Sequence, residues 1–407
     1  APFSFNNPQV LYGTLRGEFD FIDAVTGFMA IGASQKRQQA VFAGSRTITD
    51  AQGTLSAQNG TQLAINQMAV SGEVGLRANL ETGPVSHQAV ISHGRFHRET
   101  RLGSNPYAIP ASNIYNPVFG PEPPSSQNPD LDDVPKVNEN KLSSTALADT
   151  VSMFGARIQA TLGVRYQEIS STGFDGATGA ITSSYDENAI TPMVGLLVKP
   201  WENVSLYANY MEGLQAGATA PAGTANAGEV FAPFVSEQYE VGAKWDLGRV
   251  TTTLAAFQIT QPSSFTDPIT NVFGVNGEQR NRGIEFNVFG EVIDSVRLLG
   301  GATYIDATLT KTSGGVNDGN SAQIPKFQTV LAAEWDTFFL KGLTITGRAQ
   351  YASSQYLDAA NTQELSGWAQ FDLGARYVID QLTAEPIVVR FNVDNVLDSD
   401  SWRGENQ

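Results

Sequence analysis

No cysteine occurs in the 407 residues. A disulfide scaffold is excluded, and the absence suits a compartment that would oxidise an unpaired thiol. No run of about eighteen apolar residues occurs either, so no segment qualifies as a transmembrane helix. Basic residues are scarce, 25 Lys and Arg against 41 Asp and Glu, for a net charge of −16. That balance excludes a nucleic-acid backbone as a partner. The opening APFSFNNPQV has neither a basic n-region nor an apolar h-region, so it does not read as a signal peptide. Helical periodicity of useful length is missing, and so is any repeat at solenoid spacing.

What is present is alternation. In SEQYEVGAKWDLGRVTTTLAAFQIT (236–260), Tyr239, Val241, Ala243 and Trp245 share one parity. Gln238, Glu240, Gly242 and Lys244 share the other. Strand side chains alternate between faces, so this segment has one apolar and one polar face. Asp246-Leu247-Gly248-Arg249 reads as a tight turn, with Gly supplying positive φ. Each limb is about ten residues, the length of a tilted strand crossing a bilayer.

The same unit recurs along the chain. Strands are expected near 12–18, 25–34, 64–80, 85–96, 142–152, 157–169, 190–198 and 204–211. The 236–260 hairpin follows, then strands near 282–290, 296–305, 327–335, 343–351, 368–379 and 387–396. That makes sixteen strands in eight hairpins. Polar segments near 35–61, 97–139 and 213–235 are expected as loops, and residues 380–386 as a turn. Short connections alternate with long ones throughout. A propeller should show a blade repeat, and a sandwich should not order its loops by length. The pattern is that of an antiparallel transmembrane β-barrel with short periplasmic turns and long extracellular loops. A mean hydropathy of −0.18 does not oppose this, because alternation hides the apolar band from a sliding average. Trp201, Trp245 and Trp335 each lie in or beside a short turn, where an interfacial aromatic girdle is expected.

If short turns are periplasmic, the first strand descends and the last ascends. A barrel with both termini in the periplasm then needs an odd number of strands before residue 1 and at least one after residue 407. Residues 1–407 are thus expected to be one partial barrel domain.

Four segments carry a family likeness. VSLYANYMEGLQAG (204–217), SEQYEVGAKWDLGRVTTTLAAFQITQP (236–262), NGEQRNRGIEFNVFGEVIDSVRLLGGATYIDATLTKT (276–312) and FNVDNVLDSDSW (391–402) occur in order. Together they resemble the C-terminal barrel of TonB-dependent siderophore receptors. The resemblance implies about sixteen of twenty-two strands, with the N-terminal plug, the TonB box, the first strands and the last strand outside the chain. It implies import of a ferric siderophore, energised by the TonB-ExbB-ExbD complex through the plug, in a wall facing outer-membrane lipid. A passive porin is the alternative.

Catalytic signatures are lacking. No GxSxG elbow occurs and no hydrolytic carboxylate pair can be identified, so no enzyme is expected. His87, His93 and His97 are the three histidines. At about 3.3 Å per residue the outer two would lie roughly 33 Å apart on a strand, too far for one ion. Asp130, Asp132 and Asp133 lack the calcium-loop spacing. A ferric siderophore brings its own iron ligands, so no resident cofactor or metal is expected. The site needs aromatic faces and hydrogen-bond donors instead. The loop candidates are Tyr107, Tyr115, Phe119, Tyr185, Phe231, Phe234 and Tyr356, and the inward ones Tyr207 and Arg348. Asn209 and Arg376 are also expected to point inward. The few basic loop residues argue against a strongly anionic ligand.

Overall fold

The computed structural model describes residues 4–42, 48–380 and 385–402. Its elements are nearly all strands. They are β1 Phe5–Ile22, β2 Val25–Phe42, β3 Thr54–Leu55, β4 Gln58–Thr82, β5 Val85–Ile109, β6 Ser112–Asn113 and β7 Lys136–Met153. There follow β8 Ile158–Phe174, β9 Ile181–Trp201, β10 Val204–Gln215, β11 Phe234–Asp246, β12 Val250–Thr266 and β13 Phe273–Ile293. The last are β14 Val296–Lys311, β15 Phe327–Asp336, β16 Leu343–Ala352, β17 Gln355–Tyr356, β18 Glu364–Leu365, β19 Trp368–Ile379 and β20 Ile387–Val393. Sixteen of these form one sheet with sequential neighbours, and β3-β6 and β17-β18 are two-stranded loop sheets. The strand count agrees with the reading of the sequence.

The bounds do not agree everywhere. The segment expected as loop from residue 35 is strand up to Phe42, where Gln35 to Gln39 pair with Met68 to Ala64 of β4. The loop expected from residue 97 begins only after Ile109. Likewise β8 and β9 close on each other across residues 175–180. The physical reason is that strands leaving the bilayer enter water. There no face has to meet lipid, and polar residues such as Gln38, buried with its amide on Asn6, serve as well as apolar ones, so the alternation fades although the backbone ladder continues. Every outer connection is still longer than the turns on either side of it, although at 175–180 and 267–272 the difference narrows to a few residues. Residues 43–47 of the first polar segment and 381–384 of the last turn lie outside the described residues.

The chain divides into two compact units, residues 1–80, 88–148 and 165–190, and residues 81–87, 149–164 and 191–407. In the first unit, register places Leu15, Ile31 and Gly72 in one row and Gly17, Met29 and Val74 in the next row on that face. The opposite face carries Arg16, Ala30 and Glu73. On it Arg77 sits 5.7 Å from the centre of the Phe28 ring. Gly75 gives that ring room, since a Cβ there would collide with Phe28.

In the second unit one cross-strand row runs Val198, Leu206, Ala243, Leu254, Phe286, Ala302, Thr329, Tyr351, Ala369. A row on the other face runs Ser205, Lys244, Thr253, Asn287, Gly301, Val330, Gln350, Gln370. Leu254 and Phe286 are 52% and 43% exposed, so the apolar row does not pack against a protein core. An apolar face left uncovered over nine strands belongs in lipid. Ile284, Phe286, Val288, Phe371, Leu373, Phe391 and Val393 share this face, and Glu285, Asn287, Arg390 and Asn392 share the other. The turn at 246–249 forms as expected. Gly248 has φ 83°, and its N–H donates to Asp246 Oδ1 at 2.8 Å.

Candidate functional site

Two surfaces of the second unit carry concentrated polar chemistry. One is the polar face itself. Arg297 donates to both carboxylate oxygens of Asp336 at 2.6 and 2.9 Å, and to Glu334 at 3.0 Å. Arg376 approaches Glu334 at 3.4 Å, and Thr344 donates to Asp336 at 2.6 Å. Higher on the same face, Arg348 donates to Asp372 at 2.7 Å. Asp372 is buried and also accepts from Gln370 and from the Asn395 N–H, each at 2.8 Å. Tyr207 donates to Glu240 at 2.6 Å, with the Lys244 ammonium 5.5 Å from its ring centre. These charges are paired along the wall, and a hydrated face tolerates them.

The other surface is the set of connections at the far end from the short turns. Asparagine amides stitch neighbouring connections together. Asn226 Nδ2 donates to Phe273 O at 2.8 Å and accepts from the Phe273 N–H at 2.8 Å. Asn271 donates to Gly223 O at 2.9 Å. This clamp holds the Phe231 ring 5.7 Å from that of Phe273. A second clamp joins 312–326 to 353–367, where Asn361 Nδ2 donates to Ser321 O and Asn361 Oδ1 accepts from the Ser321 N–H, both at 2.9 Å. Gln323 donates to Leu357 O across the same pair of connections.

Carboxylates in these connections are occupied by their own backbone. The N–H groups of Gln363 and Thr362 hold Asp358 below the usual carboxylate range. Thr270 and Ile269 do the same for Asp267. In the first unit, Asp175 is lowered by the Thr178 hydroxyl and nearby N–H groups. Glu139 stands near the outer end of β7. Lys136 at 2.9 Å, Lys141 at 3.0 Å and His97 at 2.9 Å bring its carboxyl down to about 2 from 4.5. Repeated donation to the charged form is what lowers each of these groups.

The expected site residues fall as follows. In the first unit Tyr107 is half-buried, its hydroxyl donating to Phe42 O at 3.2 Å and its ring lying over Gly60. Tyr185 is buried on β9. Tyr115 and Phe119 are 78% and 58% exposed beside the β3-β6 ribbon, with Tyr115 against Gly53. In the second unit Phe231 and Phe234 flank the start of β11, and Tyr356 lies on β17 opposite Glu364. Tyr207 and Arg348 lie on the polar face, each committed to a carboxylate partner. The histidines bond separately, His87 to Asp149, His93 to Thr145 and His97 to Glu139. The Arg297–Glu334–Asp336 cluster and the asparagine clamps were not expected. Glu334 and Asp336 flanking Trp335 at one parity was the available signal for the cluster. The clamps leave no spacing pattern.

The family described as TonB dependent receptor-like, beta-barrel matches residues 3–396. The ferrichrome receptor FcuA of Yersinia enterocolitica is 36% identical over 406 residues, 98% of this chain and 53% of the relative. The metal-pseudopaline receptor CntO of Pseudomonas aeruginosa is 29% identical, covering 80% of this chain and 46% of its own length. Among solved structures, BauA, the ferric preacinetobactin receptor of Acinetobacter baumannii, is 37% identical with a TM-score of 0.87, covering 98% of this chain and 61% of that one. The chain thus spans about half the length of the curated relatives it matches.

Proposed function

Because the chain belongs to the TonB-dependent receptor β-barrel family of the bacterial outer membrane, we propose that the whole protein imports a ferric siderophore by TonB-coupled active transport. The observation that carries this reading is likeness along essentially the full chain to receptors named for ferrichrome and ferric preacinetobactin. Residues 1–407 supply part of the wall. A plug with a TonB box, from the remainder of the whole protein, fills the lumen and couples it to TonB-ExbB-ExbD. Iron arrives as cargo with its ligands already in place, so the wall supplies no resident cofactor and performs no catalysis. Outer-membrane lipid covers the apolar face.

Binding falls to the outer connections. In the first unit Tyr115 and Phe119 offer open aromatic faces; in the second, Phe231 is held against Phe273, and Phe234 and Tyr356 are partly exposed. Tyr107 and Tyr185 support the connections from beneath. Tyr207 and Arg348 line the path, available once their carboxylate partners exchange. Aromatic surfaces with few cations suit a bulky chelate of low net charge.

The test is uptake of an iron-loaded hydroxamate chelate by cells carrying the full-length gene, with and without a proton-motive-force uncoupler. Uptake abolished by uncoupling is expected. Uptake that persists unchanged would reinstate the passive porin.

A further inference from the structure

The connection between β10 and β11 is long and irregular, yet Phe231 near its end is tightly placed. The Phe231 N–H donates to Ala218 O at 3.0 Å, and the Ala220 N–H donates to Glu229 O at 2.8 Å. The connection is thus folded on itself as a small ribbon. Gly217 passes so close that a Cβ there would collide with the Phe231 and Ala232 carbonyls. These contacts fix the Phe231 backbone. Its ring is fixed by a different connection. The edge-on partner of that ring, 5.7 Å away, is Phe273, which opens β13 after residues 267–272.

Asn226 joins the two connections. Its amide presents an acceptor and a donor side by side, as a peptide group does. Oδ1 accepts from the Phe273 N–H and Nδ2 donates to Phe273 O, both at 2.8 Å. This is a rung of a strand pair made by a side chain. The second Nδ2 hydrogen goes to Glu229 Oε2 at 2.6 Å. Both amide donors are therefore used within the protein, and none is left for a ligand. Asn271 adds a second tie, its side chain donating to Gly223 O at 2.9 Å and its carbonyl accepting from the Ala225 N–H at 2.8 Å. Both phenyl rings stay half-buried, so neither is enclosed by the clamp.

We propose that Asn226 is a positioning residue for chelate binding: by fixing Phe273 it holds the Phe231 ring in the orientation that the ferric chelate meets. The inference rests on the reading of Phe231 as part of the chelate site. A loose phenyl on a loop must be ordered when a ligand lands on it, and a ring already held need not be. Asn226 thus acts through pre-organisation and touches no ligand. Losing it should weaken chelate binding about two- to tenfold, the cost of immobilising one side chain. The two-way rung also gives Asn226→Asp a distinctive pH response. An ionised carboxylate accepts from the Phe273 N–H but has nothing to donate to Phe273 O, and it faces Glu229 as a like charge. The neutral acid restores the rung, because its O–H donates to Phe273 O while its C=O accepts from the N–H.

The experiment uses the full-length receptor in mild detergent, with 4-fluorophenylalanine replacing Phe231 or, in a second preparation, Phe286 on the wall. Fluorine NMR of the wild type should show one narrow resonance for position 231 from about pH 7.5 to about pH 4, and this series also reads any effect of Glu229 titrating beside Asn226. In Asn226→Ala that resonance should be broad or split at every pH. In Asn226→Asp it should be broad at the upper end and narrow at the lower, as the carboxyl, raised by Glu229, takes up its proton. The resonance of position 286 should be the same throughout, which reports a folded wall. Affinities of the unlabelled receptors for ferrichrome and ferric preacinetobactin, the chelates for which two relatives are named, are read by tryptophan quenching. Binding should weaken about two- to tenfold in Asn226→Ala, and Phe231→Leu in that background should add nothing. A resonance as narrow in Asn226→Ala as in the wild type, a pH-independent one in Asn226→Asp, or additive losses would each overturn the proposal. Should Asn226→Ala fail to reach the membrane, Asn226→Asp carries the test. Wild-type affinity in Phe231→Leu alone would remove Phe231 from the chelate site and leave the fluorine result standing. A receptor that binds neither chelate would overturn the chelate half of the proposal, and the fluorine spectra would still decide whether Asn226 fixes the ring.

Discussion

Arginine placed at Phe286 and at Asn287 separates the two faces of the wall by a single residue. Phe286 lies about seven residues above the end of β13, roughly 18 Å up a strand tilted about 40°. That is well inside an apolar band about 25 Å tall. Its cross-strand neighbours are Leu254 and Ala302, and neither can partner a cation. Phe286→Arg should cost about 2–4 kcal/mol, the range for arginine near the bilayer midplane. At about 1.4 kcal/mol per tenfold, the folding equilibrium constant falls roughly 30- to 700-fold. Asn287 faces the polar side, where it donates to Glu285 at 2.6 Å between Thr253 and Gly301. Asn287→Arg gains a carboxylate neighbour there and should cost less than about 1 kcal/mol. The assay is urea unfolding of the full-length protein in lipid vesicles, followed by tryptophan fluorescence. An Asn287→Arg variant as destabilised as Phe286→Arg would refute the assignment of faces.

Further outcomes follow from other clusters. Arg297→Met should cost about 1 kcal/mol, because its pairs with Glu334 and Asp336 are more than a third exposed and solvent-screened. A double-mutant cycle with Asp336→Asn should be clearly non-additive, and additivity would show that the pairing is energetically idle. Trp335 makes ring contacts at 6.0 Å with both Phe338 and Phe339 beside a short turn. Quenching of Trp335 by lipids labelled at different depths should be strongest near the headgroups, and strongest quenching at the bilayer centre would misplace the turn. Glu139 has a folded value of about 2 against 4.5 ordinarily. Its contribution is therefore complete above pH 4.5 and lost as pH falls toward 2. Protection of the amides at the outer ends of β5 and β7, taken relative to the intrinsic exchange rate at each pH, should fall over that window and stay level in Glu139→Gln. Protection that falls equally in the variant would assign the effect elsewhere.

Legibility in the sequence tracked the solvent. Within the bilayer, one face of each strand must be apolar and the other need not be. Ile284, Phe286 and Val288 against Glu285 and Asn287 therefore marked both the strand and its register. Above the bilayer that asymmetry ends. Gln35 to Gln39 read as loop although they continue β2, because what covers them there is polar: Gln38 is buried with its amide donating to Asn6, and Gln39 donates to Pro129 O. The outer connections were harder still. Phe231 and Phe273 meet because Asn226 and Asn271 tie segments more than forty residues apart, and neither asparagine differs in sequence from an ordinary turn residue.

The same reasoning explains why the polar row at Arg282 leaves no mark in the sequence. NRGIEFNV alternates perfectly, so Arg282 reads as the last outward position of a strand. Alternation assigns it to the lipid face but is silent on its neighbours. Those come from three other strands, Tyr239 and Gln258 on one side and Asp306 on the other, and only the register brings them into one row. A cation at the edge of an apolar band is ordinary for a single strand, because a long side chain can reach the headgroups. Across the strands that cation becomes one member of a row that also holds an amide and a carboxylate.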